Sequence, residues 1–283
     1  MGHIKIIDDA AAGFRVWRDQ RAARRLWRAS GCAARPFVIL ANARCGNNML
    51  RSALHGHPDI LIENEVLLFA HDTRHHHLVP DGLAGEVRAR PEVGLIKLLL
   101  RGAQKRATGY THLYFHMRKP DQLRLWRFLA GFDGLRVIDL RRRNLFFQWL
   151  SYCEAMATDQ WVVWDHGTIP QREAIAVSAR DFNQWLDRVA EEQAFALHHL
   201  GRHPSVRVYY EDLVDGFDRE AARILDFLEL PPWPLRATSL KTGVRPIAAR
   251  VADFDSFLRA VAGTPGEPHV RDALALEADG LPR

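Results

Sequence analysis

The sequence predicts an α/β protein, and three stretches carry that prediction. Residues 37–40 form a short apolar run bounded by Pro36, the mark of a buried strand. A tight loop follows, Asn42-Ala43-Arg44-Cys45-Gly46, and then a helical pattern with apolar Met49, Leu50, Ala53 and Leu54. The same order returns at residues 135–155. There a core strand over 135–140 is closed by Arg141, Arg142 and Arg143, and a helix from Leu145 buries Phe146, Trp149 and Leu150. A long amphipathic helix over 178–200, with Phe182, Trp185, Leu186, Val189 and Phe195, precedes a third run, Val206-Arg207-Val208-Tyr209-Tyr210.

The whole chain sets outer bounds. A length of 283 residues fits one large domain or two small ones, and 47% hydrophobic with 26% charged residues is the composition of a globular protein with a substantial core. The net charge of +5 and pI near 9.4 suit a polyanionic ligand or surface, although an arginine-rich composition gives the same balance. Three cysteines, at 32, 45 and 153, show no C-x-x-C spacing, which argues against a disulfide framework or a zinc ribbon. Neither a run of about 18 apolar residues nor a signal-peptide core is present, so the cytoplasm is the expected compartment.

Taken in order, residues 10–29 place Phe14, Trp17, Leu26 and Trp27 among six arginines at helical spacing. Two readings stand side by side, a membrane-surface helix and a helix packing its aromatic face on the domain, the apolar stripe being broken at Arg21 and Ala22. Residues 1–34 thus read as a basic helical extension. The 42–46 loop, set between a strand and a helix N-terminus, is an anion site in the making, because unpaired amides and the helix dipole converge there. Arg44 adds a cation, and Asn47 and Asn48 add side-chain donors. It is not a Walker A loop: no Lys follows Gly46 and no Ser or Thr holds the magnesium position. A dinucleotide fingerprint would need three glycines where this loop has one.

Beyond the first helix come His57-Pro58-Asp59-Ile60 and Ile62-Glu63-Asn64-Glu65. Residues 71–109 are the least readable; three adjacent histidines at 75–77 cannot all face one ion in regular structure and read as an exposed loop. Residues 110–117, aromatic and partly alternating, read as a strand ending at His116, and Pro120 starts an amphipathic helix with Leu123, Trp126 and Phe128. Glu211-Asp212-Leu213 follows the third strand, a helix spans 219–228, and Lys241-Thr242-Gly243-Val244-Arg245-Pro246 forms a basic loop. The tail over 263–283, rich in Pro, Gly and Ala, is expected to pack weakly.

The first loop resembles the 5′-phosphosulfate loop of the sulfotransferases, P-[KR]-[ST]-G-[ST]-[ST] after the first strand. The match holds at Arg44 and Gly46, is near-isosteric at Cys45, and departs at Ala43, Asn47 and Asn48. Further segments resemble the family in the family's order: HPDI with a following Glu, an Arg with a Ser eight residues on (Arg143 and Ser151), the YEDL after a strand, and more loosely the basic loop at 241–246. Together they span roughly residues 36–262.

The resemblance implies a P-loop-like three-layer α/β fold in a single domain over 1–283, a central parallel sheet flanked by helices, with 71–109 as a variable acceptor-side insertion. It implies transfer of a sulfuryl group from PAPS (3′-phosphoadenosine 5′-phosphosulfate) to a carbohydrate, lipid or small-molecule hydroxyl, with PAP (3′-phosphoadenosine 5′-phosphate) as product and with neither metal nor nucleic acid as partner. Glu65 is the expected base, Glu63 its alternative if the register slips, and His116 the base of the aryl-type branch. Arg44, Cys45, Gly46, Asn47 and Asn48 would hold the phosphosulfate; Arg143, Ser151, Lys241 and Arg245 the 3′-phosphate; Tyr210 would lie near the adenine. Two other classes stay open: a nucleotide-binding relic, because both loop hydroxyls are Asn, and a P-loop phosphotransferase, which the missing Lys disfavours.

Overall fold

The computed structural model describes residues 2–71, 78–115, 120–161, 173–238 and 245–279. Helix α1 (Gly2–Ala29) leads into β1 (Arg35–Ala41), α2 (Asn47–His55), β2 (Ile60–Glu63) and the short α3 (Val66–Phe69). Then come α4 (Leu83–Ala89), α5 (Pro91–Leu100), β3 (Ala107–Leu113), α6 (Pro120–Ala130), β4 (Arg136–Arg141) and α7 (Leu145–Thr158). The remainder is α8 (Ala179–Leu200), β5 (Ser205–Tyr209), α9 (Tyr210–Asp215), α10 (Phe217–Phe227), α11 (Phe254–Val261) and α12 (Glu267–Ala278).

The strands form one parallel sheet in the order β2-β3-β1-β4-β5. β1 sits at its centre, pairing Ile39 with Thr111 on one side and with Ile138 on the other. Its side chains alternate between two cores, as a strand covered on both faces must. Val38 and Leu40 join Tyr110, Val137, α5 and α6, whereas Phe37, Ile39 and Ala41 join Ile138, Leu140, α2 and α10. A third core gathers Phe146, Trp149, Phe182, Trp185 and Phe257 where α7, α8, α11 and α12 meet. The expected α/β architecture, a parallel sheet flanked by helices, is therefore what the chain adopts.

Several boundaries differ from the expectations. The tail beyond Gly263, expected to pack weakly, instead forms α12, which seats Val270 and Ala273 in the third core. The aromatic strand runs over Ala107–Leu113 rather than 110–117. Residues 71–109 are more than an insertion: α5 lies almost wholly inside the first core, and the sheet itself resumes at Ala107. The N-terminal helix is likewise part of the domain on one side. Ala23 is fully buried, Leu26 and Trp27 pack on the first core, and buried Asp19 takes Arg90 at 3.2 Å and Arg124 at 3.0 Å. Its other side exposes Phe14 and Trp17. The packing reading of residues 10–29 thus holds for the inner side of the helix.

Candidate active site

β1 delivers the chain to the sheet's C-terminal edge, and the loop that follows must reverse it into α2 within five residues. Two residues take left-handed backbone to do so, Arg44 at φ 65° and Gly46 at φ 84°. Gly46 is required on two counts: an L side chain is strained there, and a Cβ would stand 2.6 Å from the Tyr210 ring. Gly46 offers no side-chain cap to the N-terminus of α2, and among the described residues no side chain is seen to take its place, which leaves the first amides open.

Neighbouring elements grip this loop from below. Asn42 Nδ2 donates to Glu192 Oε2 of α8 at 2.9 Å. Gln148 Nε2 of α7 donates to the Ala43 carbonyl at 2.8 Å and to Cys45 Sγ at 3.0 Å. Arg142 Nη1 donates to the Arg44 carbonyl at 3.3 Å, while its guanidinium lies 4.7 Å over Tyr210 and 5.9 Å over Phe147. Arg142 is buried, and among the described residues its Nε has no hydrogen-bond partner, Glu211 Oε1 lying 3.9 Å away. Cys45 is fully buried, which pushes its thiol up to about 12. It packs as a neutral group under the loop.

The expected residues are rearranged in their pairing. Arg44 turns its Nε to Ser151 Oγ at 3.0 Å and its Nη1 to the Trp161 carbonyl. Arg143, expected to act with Ser151, instead forms a two-pronged ion pair with Asp212 at 2.8 and 2.7 Å and lies 4.2 Å over Tyr209, half of its side chain open to solvent. Glu211 accepts from the Arg143 and Asn144 amides, and Asn144 caps α7 by accepting from the Phe147 amide at 2.9 Å. The two acids after β5 thus secure the turn from β4 into α7.

Asn47, the first residue of α2, donates from Nδ2 to Glu65 Oε1 at 2.9 Å. Burial raises the Glu65 carboxyl to about 7, against the pull of the Asn47 hydrogen bond and the Arg51 charge. The alternative Glu63 is occupied at the surface by Arg101 at 3.2 Å, so the register places Glu65, not Glu63, beside the loop. Asn47 also departs from expectation: its amide is spent on the carboxylate rather than turned to an anion. Asn48 follows it, half-buried, in the first turn of α2. Arg245 hydrogen-bonds the Ala249 carbonyl within its own segment. His116, Lys241 and the histidines at 75–77 lie outside the described residues.

Sequence reasoning overlooked Arg142, Gln148 and Glu192. For Arg142 a signal existed: Ile138 and Leu140 face the second core, and the period of two carries on to Arg142. Among the described residues no group of three His, Cys, Asp or Glu side chains is placed to hold a metal ion.

Comparison with known proteins bears on this geometry. A family model described as "Sulfotransferase family" matches residues 36–234. The chain is similar to Nodulation protein H of Rhizobium tropici, 27% identical over 238 residues, covering 81% of this chain and 90% of that protein. Two solved structures align at lower similarity. One is a sulfotransferase from Alicyclobacillus acidocaldarius, at 17% identity and a TM-score of 0.46, covering 88% of this chain and 100% of that one. The other is a sulfotransferase domain from the curacin biosynthetic pathway, at 17% identity and a TM-score of 0.43, covering 83% and 89%.

Proposed function

The chain belongs to the sulfotransferase family and is an enzyme of sulfuryl transfer; we propose that its donor is PAPS and its acceptor a hydroxyl of a carbohydrate, lipid or small molecule. The observation that carries this reading is the Asn47–Glu65 hydrogen bond. It seats a carboxyl whose pKa is raised to about 7 beside the uncapped amides of α2, so that a base and an anion cradle share one corner of the fold.

The residues present suit an anionic nucleotide donor. The loop offers amides at a helix N-terminus, the Gly46 backbone leaves no room for a side chain beneath it, and Arg142 holds a buried Nε that finds no hydrogen bond among the described residues. When bound, PAPS supplies the sulfuryl group and a phosphate leaving group. Glu65 would take the proton from the acceptor hydroxyl, and a carboxyl near 7 is half-ionised at neutral pH, the best compromise between being deprotonated and being basic. Arg44 and the loop amides would offset the charge that grows on the bridging oxygen. Since the transition state of such transfers is loose, positioning and electrostatics supply most of the rate.

The test is incubation with radiolabelled PAPS and a panel of glycans, lipids and phenols, alongside thermal shift with PAP in the presence and absence of a chelator. Chelator-independent stabilisation by PAP with a labelled product supports the reading. Stabilisation by ATP and magnesium but not by PAP overturns it in favour of a phosphotransferase. Stabilisation by PAP with no labelled product leaves a binding relic instead.

A further inference from the structure

Outside the active-site corner, the least explained surface is the outer side of α1. At the helical spacing of three and four, Phe14, Trp17, Arg18, Arg21, Arg25 and Arg28 fall in one exposed stripe. The stripe covers 15 residues, about 20 Å of helix. Its orientation is fixed, because the opposite side is tied down by Ala23 in the core and by Asp19, which is held by Arg90 and Arg124 of the domain as well as by Arg18 on α1 itself.

Two independent features of this stripe point to the same ligand. The first is charge. Trp17, Arg21, Arg24, Arg25 and Arg28 line an open hollow of about 590 Å³ with no carboxylate in its wall. Arg28 meets Asp133 at 3.4 Å, but Arg21 and Arg25 have no ion pair among the described residues. The second is exposed aromatic surface. Phe14 and Trp17 are 62% and 52% exposed and stack on each other at 5.7 Å, and Arg21 lies 5.2 Å over the Trp17 ring. Large rings held in water next to a row of arginines suit the boundary between lipid headgroups and acyl chains, where indole and guanidinium groups both find partners. A soluble phosphate would engage the arginines and leave both rings in water. A nucleic acid would need an open ring face for a base, and Trp17 already has Phe14 and Arg21 against it.

We propose that this ridge of α1 is a docking surface for an anionic phospholipid bilayer, the arginine hollow taking a lipid phosphate while Phe14 and Trp17 enter the headgroup boundary. The contact is lateral: among the described residues no helix is long and apolar enough to cross a membrane. The inference stands apart from the enzymatic reading, since none of these residues belongs to the active site.

The experiment is co-sedimentation of the full chain with vesicles of phosphatidylcholine alone and with equal parts of phosphatidylcholine and phosphatidylglycerol. Binding to the mixed vesicles only, weakened by salt, is expected. Arg21→Glu with Arg25→Glu should lower partitioning about tenfold or more, as should Phe14→Ala with Trp17→Ala. The conservative pair Phe14→Leu and Trp17→Phe should retain most of it, which separates a lost surface from a lost fold. Sedimentation with neither vesicle, undiminished binding by either disruptive pair, or displacement from vesicles by a polyuridine oligonucleotide at lower concentration than by soluble headgroup phosphate overturns the proposal.

Discussion

Asn47 Nδ2 and Glu65 Oε1 lie 2.9 Å apart, joining the first residue of the loop helix to a carboxyl 18 residues further along the chain. One oxygen of the carboxyl is thereby fixed, and an amide that the sulfotransferase loop pattern would assign to the anion is committed to that carboxyl. The bond favours the ionised form. Asn47→Ala should therefore move the acidic limb of the kcat/KM profile to higher pH, by up to about one unit. Asn47→Ser, with a shorter donor, should fall between. A profile unchanged in Asn47→Ala, with activity lost evenly at all pH values, would show that Asn47 only shapes the loop.

Glu65, the base under the proposed function, also bears on stability. Its carboxyl is raised from 4.5 to about 7, so the fold favours the protonated form. That contribution is fully present below the unfolded value near 4.5 and is lost as pH rises through about 7. Glu65→Gln removes the buried charge. It should abolish turnover, leave PAP affinity intact, and gain stability over the natural chain as pH increases from 5 to 8, by on the order of 2 kcal/mol. Denaturant melts at both pH values check this, and an equal difference at the two would contradict it.

Arg143 is held by Asp212 through two hydrogen bonds, and a phosphate ligand would have to share it. Arg143→Ala should weaken PAP by about 1.5–3 kcal/mol and leave 5′-AMP unaffected, the scale of one charge-assisted contact. Calorimetry giving the same loss for both nucleotides would move the 3′-phosphate away from Arg143.

Arg142 is a different case despite standing next to it. It is buried, stacked on Tyr210 and bonded to the loop backbone. Arg142→Ala should destabilise by about 3–5 kcal/mol, because it empties a packed site and leaves Glu211 without its nearest buried cation. The melting temperature, not the affinity for PAP alone, should register it. A fully stable Arg142→Ala protein would sink this assignment.

Gly46→Ala tests the loop itself. The left-handed backbone and the Tyr210 ring at 2.6 Å both oppose a methyl group. A loss of about 1–3 kcal/mol with donor binding abolished is expected. Tyr210→Ala should restore part of the stability, since it removes the clash and not the backbone strain.

The strands on which the site hangs were legible because β1, covered on both sides, reads as an unbroken apolar run after Arg35, and β4 keeps Val137, Ile138 and Leu140 around a single acid, Asp139. β2 was not, being four residues long at the sheet edge. α5 escaped notice because nearly every residue in it is apolar, which erases the helical period. In the site, Arg44, Gly46 and the Glu65 register could be read from local order along the chain. The partners of Asn47, Ser151 and Arg143 could not, for each is a choice among donors made by tertiary packing between segments far apart in sequence.

The grip on the loop has a thermodynamic reach. Asn42, Ala43, Arg44 and Cys45 are each bonded to side chains of α7, α8 or the end of β4, bonds made when the chain folds and independent of any ligand. A nucleotide arriving there meets a mould already set and forfeits mainly its own freedom, not that of the loop. Its binding should accordingly show little heat-capacity change beyond that of the surface it covers, whereas Gln148→Ala, by loosening the mould, should make the same encounter entropically dearer with the same final contacts.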